Sequence, residues 1–402
     1  MTETIYDELG VPTVVNGAGT KTRLSGTLMR DEAVEAMRRG AEAFARIEDL
    51  QAKASEVVAE VTGAEAGYVT AGADAGLALG AAACIAGRDL GVMNRLPDTD
   101  GVADEIVMPR AQRNGYDHAL RAAGASIVDI GETGFNHGCA STNVEPWEIA
   151  DAITDETAAV AWLAKPHVKM DLETVVEVAH EEDVPVVVDA AAQLPPPTNL
   201  GRYTEAGADL VVFSGGKAIR GPQTTGILAG RADLVQSVAL QHLDTHVASE
   251  AWVPPEEFLD VSDLRGVPRQ GIGRPMKVGK EEICGLLAAL DAFLDEDHER
   301  LQREWTDRVE RIGDRLSDSP ALDPDVSYGD KTAFVPELVV HVDEAEAGMT
   351  TAALVRSLRR ENPRVYVGGD HLHRARFEVN PLSLSDEEAV YLADRVLDTL
   401  AE

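Results

Sequence analysis

Two polar residues stand where apolar runs end, and their types suggest covalent chemistry. Asp189 closes the run that begins at Val186, and Lys217 follows Phe213 through a Ser-Gly-Gly bend. A lysine amine can form a Schiff base with an aldehyde, and a carboxylate can keep a pyridine nitrogen protonated. Pyridoxal 5′-phosphate (PLP) needs these two groups, because its protonated ring then accepts electrons from a carbanion. The pair therefore predicts a PLP enzyme rather than a binding module.

Each member of this pair also has an ordinary structural explanation. An aspartate at a strand end often forms a turn or caps a helix, and most lysines lie on the surface. However, the interval of 28 positions fits one αβ unit, and the glycines before Lys217 let the backbone approach a ligand. The chain also has only 8 Lys against 28 Arg, so a retained lysine is notable. We therefore favour the catalytic interpretation.

A phosphate site is predicted where an apolar strand meets an alanine-rich helix. Gly72 and Ala73 lie at this junction, just before the helical pattern of residues 75–86. Free backbone amides and the positive end of the helix dipole favour an anion there. Small residues also serve tight helix–sheet packing, so the prediction depends on their position in the chain ahead of the Asp/Lys pair. Ser214 can add a hydroxyl to the same phosphate.

Basic residues occur in two segments that could hold an anionic substrate. Arg274 and Lys277 lie in the Gly/Pro-rich stretch 271–280, where a basic helix entry or a dimer salt bridge is the alternative. Arg376 is the end of a second cluster, together with one further arginine and two histidines, and could clamp an α-carboxylate. Nothing near these histidines completes a metal site, so we predict no metal.

Three other residues are weaker candidates. His118 and His167 could act as acid or base groups, although a single histidine is more often structural. Gln193 could reach the phenolic oxygen of the cofactor, or it is an ordinary loop amide.

Composition limits the class of protein. With 402 residues, 44% hydrophobic and 26% charged, the chain can bury a large core. No apolar run reaches the length of a membrane span. The acidic N-terminus lacks an apolar core, so we expect no signal peptide. The three cysteines are far apart in the chain, which favours a reducing cytoplasm. The net charge of −34 disfavours nucleic acid and predicts a surface adapted to high salt, hence a halophilic source. An acidic surface that binds a partner is the alternative.

Strand and helix patterns alternate along most of the chain, which predicts an α/β fold with a mostly parallel sheet. Single helices are predicted over residues 30–62 and 281–318, and a long functional loop over residues 242–275. The strand at residues 226–229 is expected to return antiparallel. We expect an N-terminal arm, a large PLP-binding domain and a small α+β domain; their limits are 1–30, 31–280 and 281–402.

Several motifs resemble the fold-type I PLP enzymes, whose fold is that of aspartate aminotransferase, and within them the selenocysteine synthase-like group. The resemblance extends over nearly the whole chain, and its last segment points to the branch of D-glucosaminate-6-phosphate ammonia-lyases. The residues that carry it are 16–20, 47–51, 62–66, 113–119, 188–191, 213–217 with 221–223, and 273–280.

The resemblance implies a role for each matching residue. It makes Lys217 the Schiff-base lysine and Asp189 the partner of the pyridine nitrogen, and it places the phosphate among Gly72, Ala73 and Ser214. The ring-stacking position, often His in these enzymes, falls near Gln112. It also implies a homodimer with sites at the interface. Selenocysteine synthases carry an additional N-terminal tRNA-binding domain, whereas this chain begins almost directly at the catalytic core.

The function expected from these observations is a cytoplasmic lyase. It would eliminate water and ammonia from a hydroxylated amino acid or amino-sugar acid, such as D-glucosaminate or its 6-phosphate, to give a 2-oxo acid. Its partner would be this small molecule, with neither nucleic acid nor membrane. A selenocysteine synthase-like transferase, an aminotransferase, a racemase or an aldolase remain alternatives, because the same cofactor serves all of them. A non-catalytic protein with this fold is a further one.

Overall fold

The computed structural model describes residues 4–131, 144–164, 170–328, 334–360 and 362–401. The chain divides into two units, of which one is Met29–Leu294 and the other combines Met1–Leu28 with Asp295–Glu402. The described strands are β1 Val14–Gly17, β2 Ala66–Thr70, β3 Glu105–Pro109, β4 Ser126–Ile130, β5 Thr157–Leu163, β6 Val186–Asp189, β7 Leu210–Ser214, β8 Gly226–Gly230, β9 Leu322–Tyr328, β10 Pro336–Val342, β11 Arg364–Val367 and β12 Arg376–Val379.

The described helices follow the alternation that the sequence predicts. They are α1 Ile5–Glu8, α2 Asp31–Ala41, α3 Ile47–Thr62, α4 Ala73–Ala86, α5 Leu90–Arg95, α6 Asp117–Ala122, α7 Pro146–Ala152, α8 Leu172–Glu181, α9 Asn199–Glu205, α10 Ala232–His242, α11 Lys280–Leu294, α12 His298–Leu316, α13 Thr351–Ser357 and α14 Asp386–Ala401. None of the helices in the described ranges is long and apolar enough to cross a bilayer.

The unit Met29–Leu294 is built on a sheet with seven described strands in the order β2-β8-β7-β6-β5-β3-β4. The strands β7, β6, β5, β3 and β4 pair in parallel, and β8 is antiparallel to β7 and to β2. The predicted α/β fold with a mostly parallel sheet is confirmed, and so is the antiparallel return of β8. As a result, β6 and β7 end at the same edge of the sheet.

Helix α4 lies directly on the centre of this sheet. Its sequence is almost entirely Ala, Gly and Leu, and most of its residues are buried. A Cβ at Gly76 would stand 2.8 Å from Cγ1 of Val212, and one at Gly80 would stand 3.3 Å from Cδ1 of Leu210. The small residues therefore allow the helix to approach β7 closely, which fixes where its N-terminus lies.

Two helices that the sequence predicts as continuous are each interrupted. The first divides into α2 and α3 because the two helices pack against different elements. Helix α3 packs against the sheet, where the Gln51 side-chain amide bonds the backbone of Val69. Helix α2 packs against α11, where Met37 lies against Gly285. The second divides into α11 and α12 at Asp297, whose carboxylate accepts the Arg300 N–H at 2.9 Å and begins a new helix. Helix α11 therefore belongs to the first unit and not to the C-terminal domain.

The other unit has its own sheet and core. Strand β10 pairs antiparallel with β9 and β12, and β1 pairs parallel with β11. Residues of α12, α13 and α14 complete its apolar cluster. This is the α+β architecture that the sequence predicts for the C-terminal region, with the N-terminal strand added to it.

Candidate active site

Asp189 and Lys217 lie on neighbouring strands of one unit. Asp189 is the last residue of β6 and stands opposite Val212 of β7. Lys217 follows the end of β7 in a tight turn, where its carbonyl accepts the Arg220 N–H at 3.0 Å. Both side chains are half-buried. The structure thus brings the two predicted residues to the same edge of the sheet.

The bend before Lys217 requires glycine at both positions. A Cβ at Gly215 would stand 2.2 Å from Oγ1 of Thr225, and one at Gly216 would stand 2.5 Å from Cα of Gln223. In addition, the Gly215 N–H donates to the Thr225 carbonyl at 2.9 Å. The turn that carries the lysine is therefore held against the segment 223–225.

The backbone around Asp189 is also fixed. Its carbonyl accepts the Ala164 N–H at 3.0 Å, and Oδ1 accepts the Ala191 N–H at 3.0 Å. The next residue, Ala190, donates its N–H to the Val212 carbonyl at 3.0 Å. The carboxylate consequently has a defined position at the strand end, with part of its surface accessible.

Gly72, Ala73 and Ser214 all lie next to Gly226 of β8, and their role as a phosphate site stays a prediction. Gly226 of β8 stands opposite Ser214 on one side and opposite Thr70 on the other. A Cβ at Gly226 would lie 2.5 Å from the Gly72 carbonyl carbon and 2.7 Å from the Ala73 nitrogen. Because Gly226 has no side chain, the first turn of α4 can lie directly against β8 and near Ser214. The N-terminus of a helix favours an anion at such a place.

A small cavity of about 20 Å³ lies beside Asp189. Leu163 at the end of β5 lines it, and so do Asn114, Tyr116 and Asp117 from the segment after β3. Its deeper wall is apolar and is formed by Leu77, Met108, Leu120, Ala161, Trp162 and Val187. Two carboxylates, those of Asp117 and Asp189, therefore line a mostly apolar cavity that is large enough for about one water molecule.

Gln112, the predicted ring-stacking position, is fully buried next to this cavity. Its Oε1 accepts the Leu163 N–H at 2.8 Å. Its Nε2 is buried without a hydrogen-bond partner among the residues that the structure describes. An unsatisfied buried donor is costly, and a ligand acceptor at this point would satisfy it. Its stacking role stays a prediction.

Residues that follow Gln112 also line the cavity, although they were not among the predicted site residues. Asn114 accepts the Tyr116 N–H at 2.7 Å through Oδ1, and Arg113 pairs with Asp117 and with Asp129. These contacts fix the segment that lines one side of the cavity. The signal was present, since these residues belong to the motif at 113–119 from which the resemblance was drawn.

The other candidates lie at different distances from this edge. Gln193 is buried, and its amide donates to the Ala164 carbonyl, so a contact with the cofactor stays a prediction. His118 is exposed with Nδ1 3.3 Å from the Arg121 guanidinium, and it does not line the cavity. His167 lies outside the described residues.

The predicted anion-binding residues fall into both units. Arg274 lies 3.5 Å from Asp244, and the exposed Lys277 stands three positions later in the same segment. Arg376 belongs to β12 of the other unit, where its Nε lies 3.4 Å from Oε1 of Glu378. Burial raises the pKa of Glu378, although the nearby His371 and Arg376 act in the opposite direction. The substrate roles of all three cations stay predictions.

The residues at this edge therefore fit the predicted cofactor. They supply an amine, a carboxylate, and a helix N-terminus beside a hydroxyl. The family described as aminotransferase class-V matches residues 136–250, a range that contains both Asp189 and Lys217.

Known proteins with two different activities are similar to the chain over nearly its whole length. The D-glucosaminate-6-phosphate ammonia lyase of Salmonella typhimurium is 28% identical over 98% of both chains. A solved structure of a D-glucosaminate-6-phosphate ammonia-lyase superposes with a TM-score of 0.80 at 27% identity, over 100% of this chain and 99% of that one. The 5′-C-glycyluridine monooxygenase-decarboxylase of a Streptomyces species is 30% identical over 99% of this chain and 92% of its own.

Selenium transferases are more distant. The L-seryl-tRNA(Sec) selenium transferase of Actinobacillus pleuropneumoniae is 29% identical over 46% of this chain and 39% of its own. The predicted resemblance to the selenocysteine synthase-like group and its ammonia-lyase branch is confirmed by these similarities.

Proposed function

Because the chain belongs to the pyridoxal-phosphate-dependent enzymes of the aminotransferase class-V family, we propose that it is an ammonia-lyase acting on a hydroxylated amino acid or amino-sugar acid. Family membership confirms the predicted cofactor and the prediction of an enzyme. The observation that carries the proposed reaction is the similarity to the ammonia-lyase over the full length of both chains, in sequence and in structure.

The chain's own residues would hold the cofactor at four points. Lys217 would bind its aldehyde, Asp189 would face its pyridine nitrogen, and the Ala73 N–H and Ser214 hydroxyl would contact its phosphate. When bound, PLP supplies an electron-accepting ring for the negative charge that develops at the substrate α-carbon. The carboxylate of Asp189 would stabilise this charge indirectly, because it would keep a proton at the ring nitrogen.

Lys217 has a second task after the substrate amine has taken its place. Its Nζ would accept the α-proton, because the turn at residues 215–221 places this lysine just past the end of β7. The β-hydroxyl would leave as water together with the proton that Lys217 has accepted, and a second water would hydrolyse the released enamine to a 2-oxo acid and ammonia. Arg274 and Lys277 would bind an anionic end of the substrate, such as a carboxylate or a phosphate.

A product screen tests this proposal. The purified protein, loaded with PLP in high salt, is incubated with β-hydroxy amino acids, D-glucosaminate and its 6-phosphate. We expect equal amounts of ammonia and 2-oxo acid from at least one of them. Lys217→Ala should lose both turnover and the visible absorbance of the bound cofactor. Normal turnover by this variant would exclude the mechanism.

A second candidate function comes from the Streptomyces relative, because its sequence identity to this chain, 30%, is close to the 28% of the ammonia-lyase. If the chain were a monooxygenase-decarboxylase, turnover would consume O₂ and release CO₂. Running the same screen under nitrogen separates the two activities. The proposed lyase works unchanged without O₂, whereas a monooxygenase stops.

We also propose a cytoplasmic homodimer from a halophilic source. Large apolar side chains are exposed on the unit Met29–Leu294, and Phe44 is fully exposed. Such side chains favour burial against a second copy. Light scattering in high salt should give about twice the chain mass of 42.9 kDa, and a monomer in this measurement would contradict the dimer.

A further inference from the structure

A buried hydrogen-bonded pair connects the central sheet to the segment of Arg274 and Lys277. Tyr68 of β2 is fully buried, and its hydroxyl lies 2.8 Å from Nδ1 of His242, the last residue of α10. Nε2 of the same histidine lies 3.0 Å from the carbonyl oxygen of Met276. No step of the proposed reaction uses either side chain.

The chemistry of the two neighbours assigns the proton on this histidine. A carbonyl oxygen can only accept, so Nε2 carries the hydrogen and donates it to Met276. Nδ1 is then the acceptor of the Tyr68 hydroxyl. Burial lowers the pKa of His242, which agrees with a neutral ring. The tyrosine thus selects the one tautomer that can bond the backbone just before Lys277.

The segment itself packs tightly on the end of α10. The Gly273 N–H donates to the Gln241 carbonyl at 3.1 Å, and the Met276 N–H closes a single turn on the Gly273 carbonyl at 2.9 Å. A Cβ at Gly273 would stand 2.6 Å from Cδ2 of Leu79 on α4. The same segment therefore contacts the helix whose N-terminus is the predicted phosphate site.

The ring of Phe258 packs against the ring of Tyr68. The two rings stack at 6.2 Å with an interplanar angle of 14°, and Phe258 is itself buried. The tyrosine therefore has little freedom to turn away from His242. Rotation of the hydroxyl is the main remaining motion, and the imidazole acceptor restrains it.

We propose that Tyr68 and His242 are positioning residues which place Arg274 and Lys277 for the anionic group of the substrate. This inference rests on the proposed function for the identity of the bound group. Loss of one buried hydrogen bond costs about 0.5–1.5 kcal/mol. We therefore expect binding of the anionic substrate to weaken about three- to tenfold, with the chemical step unchanged.

Four variants of the holoenzyme test the proposal. Tyr68→Phe removes only the hydroxyl, and His242→Leu removes both ring nitrogens. His242→Gln keeps a side-chain N–H that can donate to the Met276 carbonyl. Tyr203→Phe is the control, because Tyr203 is another buried tyrosine of the same unit, packed on Phe213 and away from this segment.

Two measurements are made on each variant. The first is KM and kcat for D-glucosaminate 6-phosphate, and the second is hydrogen exchange of the backbone amides of residues 270–279. Tyr68→Phe and His242→Leu should raise KM about three- to tenfold at unchanged kcat and speed the exchange. His242→Gln should restore much of both, and Tyr203→Phe should alter neither.

Unchanged exchange and KM in Tyr68→Phe and His242→Leu would overturn the proposal, as would a fall of kcat alone. If His242→Leu does not fold, Tyr68→Phe decides, since it removes a single oxygen. If none of the screened substrates is turned over, the proposed function fails, and the exchange rates still decide whether the pair positions the segment.

Discussion

Replacing Gly226 by alanine should separate cofactor binding from folding. The new Cβ would lie 2.5 Å from the Gly72 carbonyl carbon, whereas ordinary contacts begin at 3.4 Å. The peptide between Gly72 and Ala73 must therefore retreat by about 0.9 Å, the difference of these two distances. This peptide carries the Ala73 N–H, which is proposed to bind the cofactor phosphate, so the displacement acts on one charge-assisted hydrogen bond.

The size of the effect follows from that bond. A hydrogen bond to a charged group contributes about 1.5–3 kcal/mol, which corresponds to about 10- to 150-fold in a dissociation constant. Strain from the extra methyl adds about 1–3 kcal/mol of destabilisation, which a melting curve measures separately. We expect Gly226→Ala to fold, with a lowered Tm and a correspondingly larger Kd for PLP in equilibrium dialysis.

A matched glycine variant controls for the substitution itself. A Cβ at Gly266 meets no atom within 4 Å, so Gly266→Ala should have the same Kd for PLP as the unsubstituted protein. If Gly226→Ala folds and retains the original Kd, the phosphate does not lie at the start of α4. The assignment of Gly72, Ala73 and Ser214 would then be withdrawn.

Three further predictions use other parts of the molecule. Asp189→Asn should keep the bound cofactor but lower kcat about 100-fold or more, because an amide holds the ring proton less strongly than a carboxylate; unchanged kcat would remove Asp189 from the mechanism. Raising KCl from about 0.1 M to about 3 M should raise Tm, since salt screens the repulsion of a −34 chain; a constant or falling Tm would contradict the halophilic source. Burial holds the pKa of His242 below the value of 6.5 for the unfolded chain, so the unfolded state takes up a proton first as the pH falls. The stability from this difference is present above pH 6.5 and is lost below it, so Tm between about pH 8 and pH 5 should fall more steeply than in His242→Gln, and parallel curves would refute this.

The positions of Asp189 and Lys217 could be predicted because local patterns determine them. Each residue follows a short apolar strand, and neighbouring parallel strands end at the same sheet edge. The convergence of Gly72 with Ser214 was predictable on the same basis. Its cause was not, since it depends on Gly226 in a third strand and on the close approach of α4.

The features that were missed depend on contacts between distant residues. The break between α2 and α3 has neither glycine nor proline from Glu42 to Arg46, so only the different packing of the two helices shows it. Residues 242–275 have no periodic pattern, yet Arg88 pairs with Asp263 and Phe258 stacks on Tyr68. A single sequence does not show which residues make such contacts.

The discontinuous unit has a consequence for how the protein is made. Strand β1 pairs with β11, and the neighbouring Thr13 bonds Asn362, which is 349 positions away. Synthesis runs from the N-terminus, so the first 28 residues must wait until almost the entire chain has left the ribosome before they find their partners. Met29–Leu294 is continuous and could fold during translation. A premature stop before codon 364 would therefore leave the exposed apolar side chains of the N-terminal segment, including Ile5 and Leu9, without the strand that anchors them.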